Sequence, residues 1–207
     1  KDYVYVFMQN QTDKVIPIQL EDDLLNFDTY RLNDLWTVYH NNKQPQLNYD
    51  FEIALNLKEI KISPEQIREK QIVQEKQVKD GWKYLLDRQG NVVKDSLGKN
   101  IKVDKFKTIR STLYQNTQSK SVQIIGQMTY FDLKNNQLIK SVPIESGFKF
   151  EHNYATYNGD KNALDQNYLD LLNYKYVPFP SNEQMIYDSG EDLKKKIKYI
   201  ISNNQFR

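Results

Sequence analysis

The stretch FEIALNLKEIKI, residues Phe51–Ile62, alternates cleanly between apolar and polar side chains. An alternation with a period of two is typical of a β-strand that buries one face. The apolar positions change parity between Leu57 and Ile60. Because successive side chains of a strand point to opposite faces, this change predicts a β-bulge or the end of the strand.

The middle of the chain predicts further strands that are separated by tight turns. Gly90 and Gly98 fall between short apolar runs, where a turn needs a residue with positive φ. The predicted strands cover residues 84–87, 91–94, 100–103, 106–115 and 121–132, and a turn at 134–137 leads to a return strand at 138–144. This succession indicates an antiparallel β-meander of at least five strands.

Residues 64–79 are harder to assign. Ser63 and Pro64, followed by Gln66, form a good helix start, which favours a helix over 64–79. The apolar residues that follow fit neither the helical nor the strand period, so an exposed strand is the alternative.

The N-terminal part predicts a small annex to the main body. Two β-rich runs at 3–8 and 15–20 flank a polar turn, which is typical of a hairpin. Asp28 is placed to cap a helix that would end before Asn41. Its predicted apolar face consists of Leu32, Leu35, Trp36 and Tyr39. We therefore expect an annex over residues 1–49 and a main α+β domain over 50–207.

The last third of the chain predicts helices. Asp160 is placed to cap one helix, and Ser181 is placed to cap a second. Between them, Pro178 and Pro180 favour an extended segment. The second helix has a predicted apolar stripe that consists of Met185, Ile186, Leu193, Ile197, Ile200 and Ile201. The predicted fold class is therefore α+β, an antiparallel β-meander sheet with the C-terminal helices packed on one face.

Composition limits the possible functions. The chain has 207 residues and no cysteine, which excludes thiol chemistry and cysteine-ligated zinc. The 29 basic and 27 acidic residues leave a net charge of +2, which gives no electrostatic support for binding a nucleic acid. No apolar run approaches the roughly 20 residues of a membrane span. Because Lys1 is not an initiating methionine, we expect the chain to begin inside a longer one or after a removed segment.

Two places carry residues suited to binding. Asp87 and Asp95 open two Asp-x-x-Gly turns, but a calcium loop needs several converging oxygen ligands. We expect both turns to be structural, and we predict no metal site and no cofactor. The second place is a junction between a strand and a helix, where loops often carry function. Its candidate surface consists of Phe150, Glu151, His152, Tyr154, Tyr157 and Asp160.

Several motifs after about Gly81 resemble a group of uncharacterised bacterial cell-envelope lipoproteins. The motifs are Asp87-x-x-Gly-Asn91, Asp95-Ser-Leu-Gly98, Gln118-Ser-Lys120, Phe148-x-Phe-Glu151, Gly159-Asp160-Lys-x-Ala-Leu164 and Pro178-Phe-Pro-Ser-Asn-Glu-Gln-Met185. The resemblance implies an exported protein that is tethered by a lipid upstream of Lys1. It implies no activity and assigns no role to a residue.

Three functions stay open at this point. The first is a non-enzymatic cell-envelope protein that binds a protein partner or a surface glycan, for which the fifteen tyrosines are suitable contact residues. The second is a hydrolase or metal-dependent enzyme that uses Glu151, His152 and Asp160 for acid–base or ligand chemistry. The third is a cytosolic scaffold. The oligomeric state stays open in all three.

Overall fold

A computed structural model describes residues 1–25, 32–33, 35–204 and 206. The protein is a mixed α/β protein with a mostly β core, which agrees with the predicted mixture of strands and helices. The described residues form six strands: β1 (Asp2–Asn10), β2 (Thr37–His40), β3 (Phe51–Ile62), β4 (Gln66–Tyr84), β5 (Lys102–Asp132) and β6 (Gln137–Gly159). The helices are α1 (Ile18–Leu25), α2 (Gln166–Leu171), α3 (Asn182–Asn203) and a 3₁₀ helix at Lys161–Ala163.

The sheet is mixed, so the prediction of a purely antiparallel meander is wrong. The strand order is β2-β1-β3-β5-β4, and β6 pairs with β5. β1 runs parallel to both β2 and β3, whereas β3 and β5 are antiparallel. A parallel pair needs a crossover connection, and the segment containing α1 provides it between β1 and β2.

The N-terminal predictions of a hairpin and a following helix are wrong, because β1 pairs with β2 and β3 instead. The predicted hairpin partner at 15–20 forms no strand: residues 15–17 have no regular secondary structure and residues 18–20 begin α1, in which Leu20 and Leu24 bury one helical face. Asp28, the predicted cap of the next helix, lies outside the described residues. The end of that predicted helix is instead strand β2, and Leu35 is 85% exposed while Tyr39 is 3% exposed. These side chains share no buried face, because pairing with β1 sets the conformation of 37–40.

β3 follows its prediction closely. It covers Phe51–Ile62, and its register with β5 shifts between Leu57 and Glu59, which confirms the predicted bulge. The helix predicted over 64–79 is wrong, and the strand alternative is correct, since β4 covers Gln66–Tyr84. Pairing with β5 supplies backbone hydrogen bonds that the local helix start cannot outweigh. After β4, the three short strands predicted over 84–103 are reduced to isolated bridges, except where their ends join β4 and β5.

The chain divides into two compact units. The first comprises the described residues of Lys1–Gln66, Ser119–Glu151 and Pro178–Arg207, and the second comprises Ile67–Gln118 and His152–Val177. The boundary predicted at residues 49 and 50 stays a prediction. No helix in the described part of the chain has the length and apolar character needed to cross a bilayer.

The core of the first unit lies between the sheet and α3. Leu193 and Ile197 of α3 are fully buried together with Ile53 and Met128 of the sheet. The Ser181 Oγ accepts the Gln184 N–H at 3.1 Å, which confirms the predicted cap. The predicted apolar stripe is buried as well: Met185, Ile186, Leu193, Ile197, Ile200 and Ile201. Gly190 permits a close approach to α1, since a Cβ there would lie 2.2 Å from Leu20 Cδ1.

Asp50 connects the start of β1 to the β5–β6 turn within the first unit. One carboxylate oxygen accepts the Tyr3 N–H at 2.8 Å, and the other lies 2.7 Å from Lys134 Nζ. Partial burial disfavours the charged form of Asp50, but the hydrogen bonds from Lys134 and Tyr3 outweigh it and lower its pKa. This carboxylate therefore stabilises the first unit while it stays ionised.

The second unit has a smaller core. Leu113, Ala155 and Leu164 are buried, and side chains of α2 pack against them. The single helix predicted after Asp160 is split, because Asp160 caps only the 3₁₀ helix and α2 begins at Gln166. This unit carries most of the residues that sequence analysis selected for a site.

Candidate functional site: an aromatic surface in the second unit

Four aromatic side chains of the second unit form a surface, which we call the aromatic surface. It consists of His152, Tyr154, Tyr174 and Tyr176. The His152 and Tyr154 rings are nearly parallel, with centroids 6.1 Å apart. Tyr174 stands at 87° to His152, and Tyr176 stands at 88° to Tyr154. Edge-to-face geometry of this kind is a favourable arrangement of aromatic rings.

Two different segments supply these rings. His152 and Tyr154 belong to β6, where residues two apart point to the same face of the sheet. Tyr174 and Tyr176 belong to the segment between α2 and α3, which has no regular secondary structure. Residues 174–181 form no helix, as predicted from Pro178 and Pro180.

Hydrogen bonds hold the second segment against the sheet. The Gln118 side chain pairs with the Val177 backbone in both directions, with Nε2 donating to the carbonyl at 2.8 Å and Oε1 accepting the N–H at 3.1 Å. Gln118 is fully buried and Val177 is partly buried, so these bonds are largely shielded from water. A third bond joins His152 Nε2 and the Lys175 carbonyl at 2.7 Å. The backbone that carries the tyrosines is therefore fixed on both sides of Tyr176.

The hydrogen bond of His152 also defines its tautomer. A carbonyl oxygen only accepts, so Nε2 carries the proton in this contact. In the neutral ring, Nδ1 then holds the free lone pair. His152 thus combines a fixed orientation with an aromatic contact to Tyr154.

The structure brings together two of the six residues predicted at the junction, His152 and Tyr154. Tyr157 is 42% exposed further along β6. Asp160 is used locally, because its Oδ1 accepts the Asn162 N–H at 2.9 Å and caps the 3₁₀ helix. The prediction that this whole junction is a binding surface stays a prediction.

The two remaining junction residues belong to the first unit. Phe150 packs edge-to-face against Phe179, with ring centroids 5.8 Å apart. Glu151 forms an ion pair with Lys149. Each of these side chains therefore has a partner within its own unit.

Sequence analysis missed Tyr174 and Tyr176 as site residues, and it missed Gln118. Tyr174 and Tyr176 are 55% and 53% exposed, whereas most large aromatic side chains in a fold are buried. A Tyr-x-Tyr pair just before two prolines in an extended segment is a signal that could have selected them. No local signal selects Gln118, because its partner Val177 is 59 residues away.

Metal-ligating clusters and histidines were the remaining candidates for a site among the described residues. No group of three or more His, Asp or Glu side chains is arranged to hold a metal ion in the described part of the chain. The other histidine, His40, has Nδ1 3.0 Å from the Tyr49 hydroxyl. Both histidines thus make hydrogen bonds within the fold and lie beside tyrosine rings.

The two Asp-x-x-Gly turns use their carboxylates structurally, as predicted. Asp87 Oδ1 accepts the N–H groups of Gln89 and Asn91 at 2.9 and 2.8 Å. Asp95 Oδ1 makes the same pair of bonds one turn later. The N–H of Asn91, followed by that of Gln89, lowers the pKa of Asp87. These oxygens complete the turns.

No family model, no curated protein and no solved structure matches this chain. The aromatic surface is therefore interpreted from its own chemistry.

Proposed function

We propose that this protein is a non-enzymatic binding protein of the bacterial cell envelope, and that it binds an uncharged glycan on the aromatic surface. The observation that carries the proposal is the pair of half-exposed tyrosines, Tyr174 and Tyr176, held at right angles to two further rings. Sugar rings have apolar C–H faces that stack on aromatic rings, and their hydroxyls pair with groups such as a tyrosine hydroxyl.

The charge of the surface favours an uncharged ligand. The four side chains contain no carboxylate and no lysine or arginine. A charged ligand would gain more from a basic or acidic cleft, where electrostatic attraction adds to affinity.

The size of the surface favours a glycan over a folded protein. Each half-exposed tyrosine leaves on the order of 100 Å² accessible. The four rings together offer roughly 300 Å², which is well below the roughly 800 Å² that each partner buries in a standard protein interface. A short stretch of a polysaccharide fits such an area.

The rigidity of the surface supports binding as well. The bonds of Gln118 and His152 order the tyrosine backbone before a ligand arrives. A surface that is already ordered loses less conformational entropy on binding. The location in the envelope is supported by the resemblance of residues 81–207 to envelope lipoproteins.

The hydrolase alternative has less support. Its proposed residues already have structural partners: Asp160 caps the 3₁₀ helix, Glu151 pairs with Lys149, and His152 Nε2 bonds to a carbonyl. Proper placement of a base and a nucleophile is the first requirement for such chemistry. The scaffold alternative is supported by no particular contact in the structure.

The experiment measures binding to neutral polysaccharides, namely laminarin, dextran, xylan and galactomannan, by affinity electrophoresis and calorimetry. We expect at least one of them to bind, and we expect Tyr174→Ala and Tyr176→Ala each to weaken binding by about tenfold, as for a buried aromatic contact. Tyr199→Ala is the matched control, because Tyr199 is 70% exposed on α3 in the first unit.

Two results would contradict the proposal. One is that none of the four polysaccharides binds the parent protein. The other is that the Tyr174 and Tyr176 variants bind as tightly as the Tyr199 variant. If a photo-crosslinker at position 174 then captured one defined envelope protein, and Tyr176→Ala abolished that capture, a protein partner would replace the glycan.

A further inference from the structure

A second exposed surface lies on the connection between β4 and β5 and the strand ends that adjoin it. Residues 82–106, which we call the hairpin tip, contain the two Asp-x-x-Gly turns. A closed ring of three backbone hydrogen bonds holds the tip together, from Leu85 N–H to the Ile101 carbonyl, from Ile101 N–H to the Val93 carbonyl and from Val93 N–H to the Leu85 carbonyl. These residues are eight positions apart, so the two turns of similar build repeat at the same spacing.

The hairpin tip has an inner and an outer face. Val93, Ile101 and Val103 are partly buried on the inner face. Large apolar side chains remain exposed on the outer face, although burying them would be favourable. They are Trp82 (50% exposed), Tyr84 (39%), Leu86 (56%), Val92 (37%) and Phe106 (58%).

Strand geometry places these side chains on the same side. Trp82, Tyr84 and Leu86 are two residues apart in an extended chain, so they share a face. Leu86 and Val92 are directly opposed in an antiparallel bridge, which also puts them side by side.

The return strand completes the outer face. Lys94 opposes Asn100, and Lys102 lies two residues beyond Asn100. The contact between Lys102 and Trp82 confirms the assignment, because Lys102 Nζ is 3.7 Å from the centre of the Trp82 ring. Phe106 has the same parity on β5. The outer face therefore combines these apolar side chains with Lys94 and Lys102, and by the same parity it also carries Asn100 and Asp104.

The charge of the hairpin tip is positive. It contains six basic and three acidic residues, a net charge of +3, although the whole chain carries only +2. Asp87 and Asp95 are engaged by backbone N–H groups, Asp104 is paired with Lys79 at 2.6 Å, and Lys105 is paired with Asp80 at 3.3 Å. Lys94 and Lys102 are the cations that the outer face presents. Cationic side chains beside tryptophan, tyrosine and phenylalanine are the combination that proteins place at the surface of an anionic bilayer.

We propose that the outer face of the hairpin tip docks onto an anionic lipid surface. Trp82, Tyr84 and Phe106 enter the headgroup region, while Lys94 and Lys102 contact the lipid phosphates. The contact is peripheral, since the tip is a short hairpin that presents one apolar face. This surface is separate from the aromatic surface and uses none of its residues.

The test uses the two tryptophans of the chain. In the Trp36→Phe protein, Trp82 is the only tryptophan, so its fluorescence reports on the hairpin tip alone. We expect vesicles of equal parts phosphatidylglycerol and phosphatidylcholine to shift its emission to the blue and to protect it from acrylamide. Pure phosphatidylcholine vesicles, and the anionic vesicles in about 0.5 M salt, should give a much smaller shift because the lysines lose their attraction.

Sedimentation with the same vesicles tests the residues. Trp82→Ala should weaken binding by at least about tenfold, and Lys94→Gln and Lys102→Gln by about fivefold each. Trp36→Ala is the control, because Trp36 is 58% exposed in the first unit. Tyr174→Ala should bind vesicles as the parent does, which separates this proposal from glycan binding. Far-UV circular dichroism checks that each variant is folded.

Three outcomes would overturn the proposal. The first is an unchanged Trp82 spectrum at millimolar anionic lipid. The second is equal sedimentation of Trp82→Ala, the lysine variants and Trp36→Ala. The third is a blue shift without lipid that rises with protein concentration, which would make the outer face an interface between copies of this chain.

Discussion

Gln118 should determine whether the aromatic surface stays ordered. Replacing it with leucine keeps the approximate volume of the side chain but removes both hydrogen bonds to Val177, at 2.8 and 3.1 Å. The Val177 N–H and carbonyl then lose their partners. Each unpaired buried polar group costs about 1–3 kcal/mol, so the two together give about 2–6 kcal/mol.

Two effects reduce this cost. Water reaches part of the segment, because the neighbouring Tyr176 is 53% exposed, and leucine gains apolar burial at a site where Gln118 is fully buried. We therefore expect Gln118→Leu to lower the free energy of unfolding by about 2–4 kcal/mol. Gln115→Leu is the matched control, because Gln115 is a partly exposed glutamine on the same strand.

Hydrogen exchange and chemical denaturation check the prediction together. In Gln118→Leu the Val177 amide should exchange at least about a hundredfold faster, following the lost protection of about 3 kcal/mol. The affinity of Gln118→Leu for any polysaccharide that binds the parent should also fall, because the tyrosine segment is less ordered. Unchanged exchange at Val177 and a stability equal to that of Gln115→Leu would refute the reasoning, because Gln118 would then not hold the tyrosine segment.

Three further variants test the rest of the fold. Ile197→Ala should lower the free energy of unfolding by about 2–5 kcal/mol in chemical denaturation, because Ile197 is 1% exposed. Lys195→Ala should cost almost nothing, because Lys195 is exposed. Equal losses would mean that α3 does not bury this face. Asp50 has a lowered pKa in the folded protein. The stability that its carboxylate contributes is therefore present above its ordinary pKa of about 4 and is lost as the pH falls through its folded pKa. Asp50→Asn should therefore be less stable at pH 7 and lose less stability on acidification than the parent, and parallel pH profiles would contradict this. Gly159→Ala should lower the stability by about 2 kcal/mol or more in thermal denaturation, because Gly159 has φ +114° and a Cβ there would lie 2.5 Å from the Arg110 carbonyl oxygen. An unchanged melting temperature would show that the strand end relaxes.

Local chemistry alone was enough to predict several elements. The alternation and parity change of Phe51–Ile62 predicted β3 and its bulge, because side chains alternate strictly along a strand. The cap at Ser181 and the apolar stripe ending at Ile201 predicted α3, because the cap and the period act within a few residues. The turns at Asp87 and Asp95 were predictable for the same reason.

Only the tertiary structure decided the conformation of segments whose partners are distant in sequence. Residues 63–66 form a local helix start, but Gln66–Tyr84 form β4, since β5 offers a ladder of hydrogen bonds to a strand. The parallel pairing of β1 with β2 depends on a crossover, and no local pattern announces it.

The candidate site shows the same division. His152 and Tyr154 were selected from sequence because they lie at a strand-to-helix junction. Tyr174 and Tyr176 join them only because the fully buried Gln118 reaches the Val177 backbone 59 residues away. The sequence by itself thus determined β3, the cap and apolar stripe of α3 and the turns at Asp87 and Asp95, because these depend on neighbouring residues. The tertiary structure decided which aromatic rings meet, because that depends on hydrogen bonds and burial between residues that the chain order keeps apart.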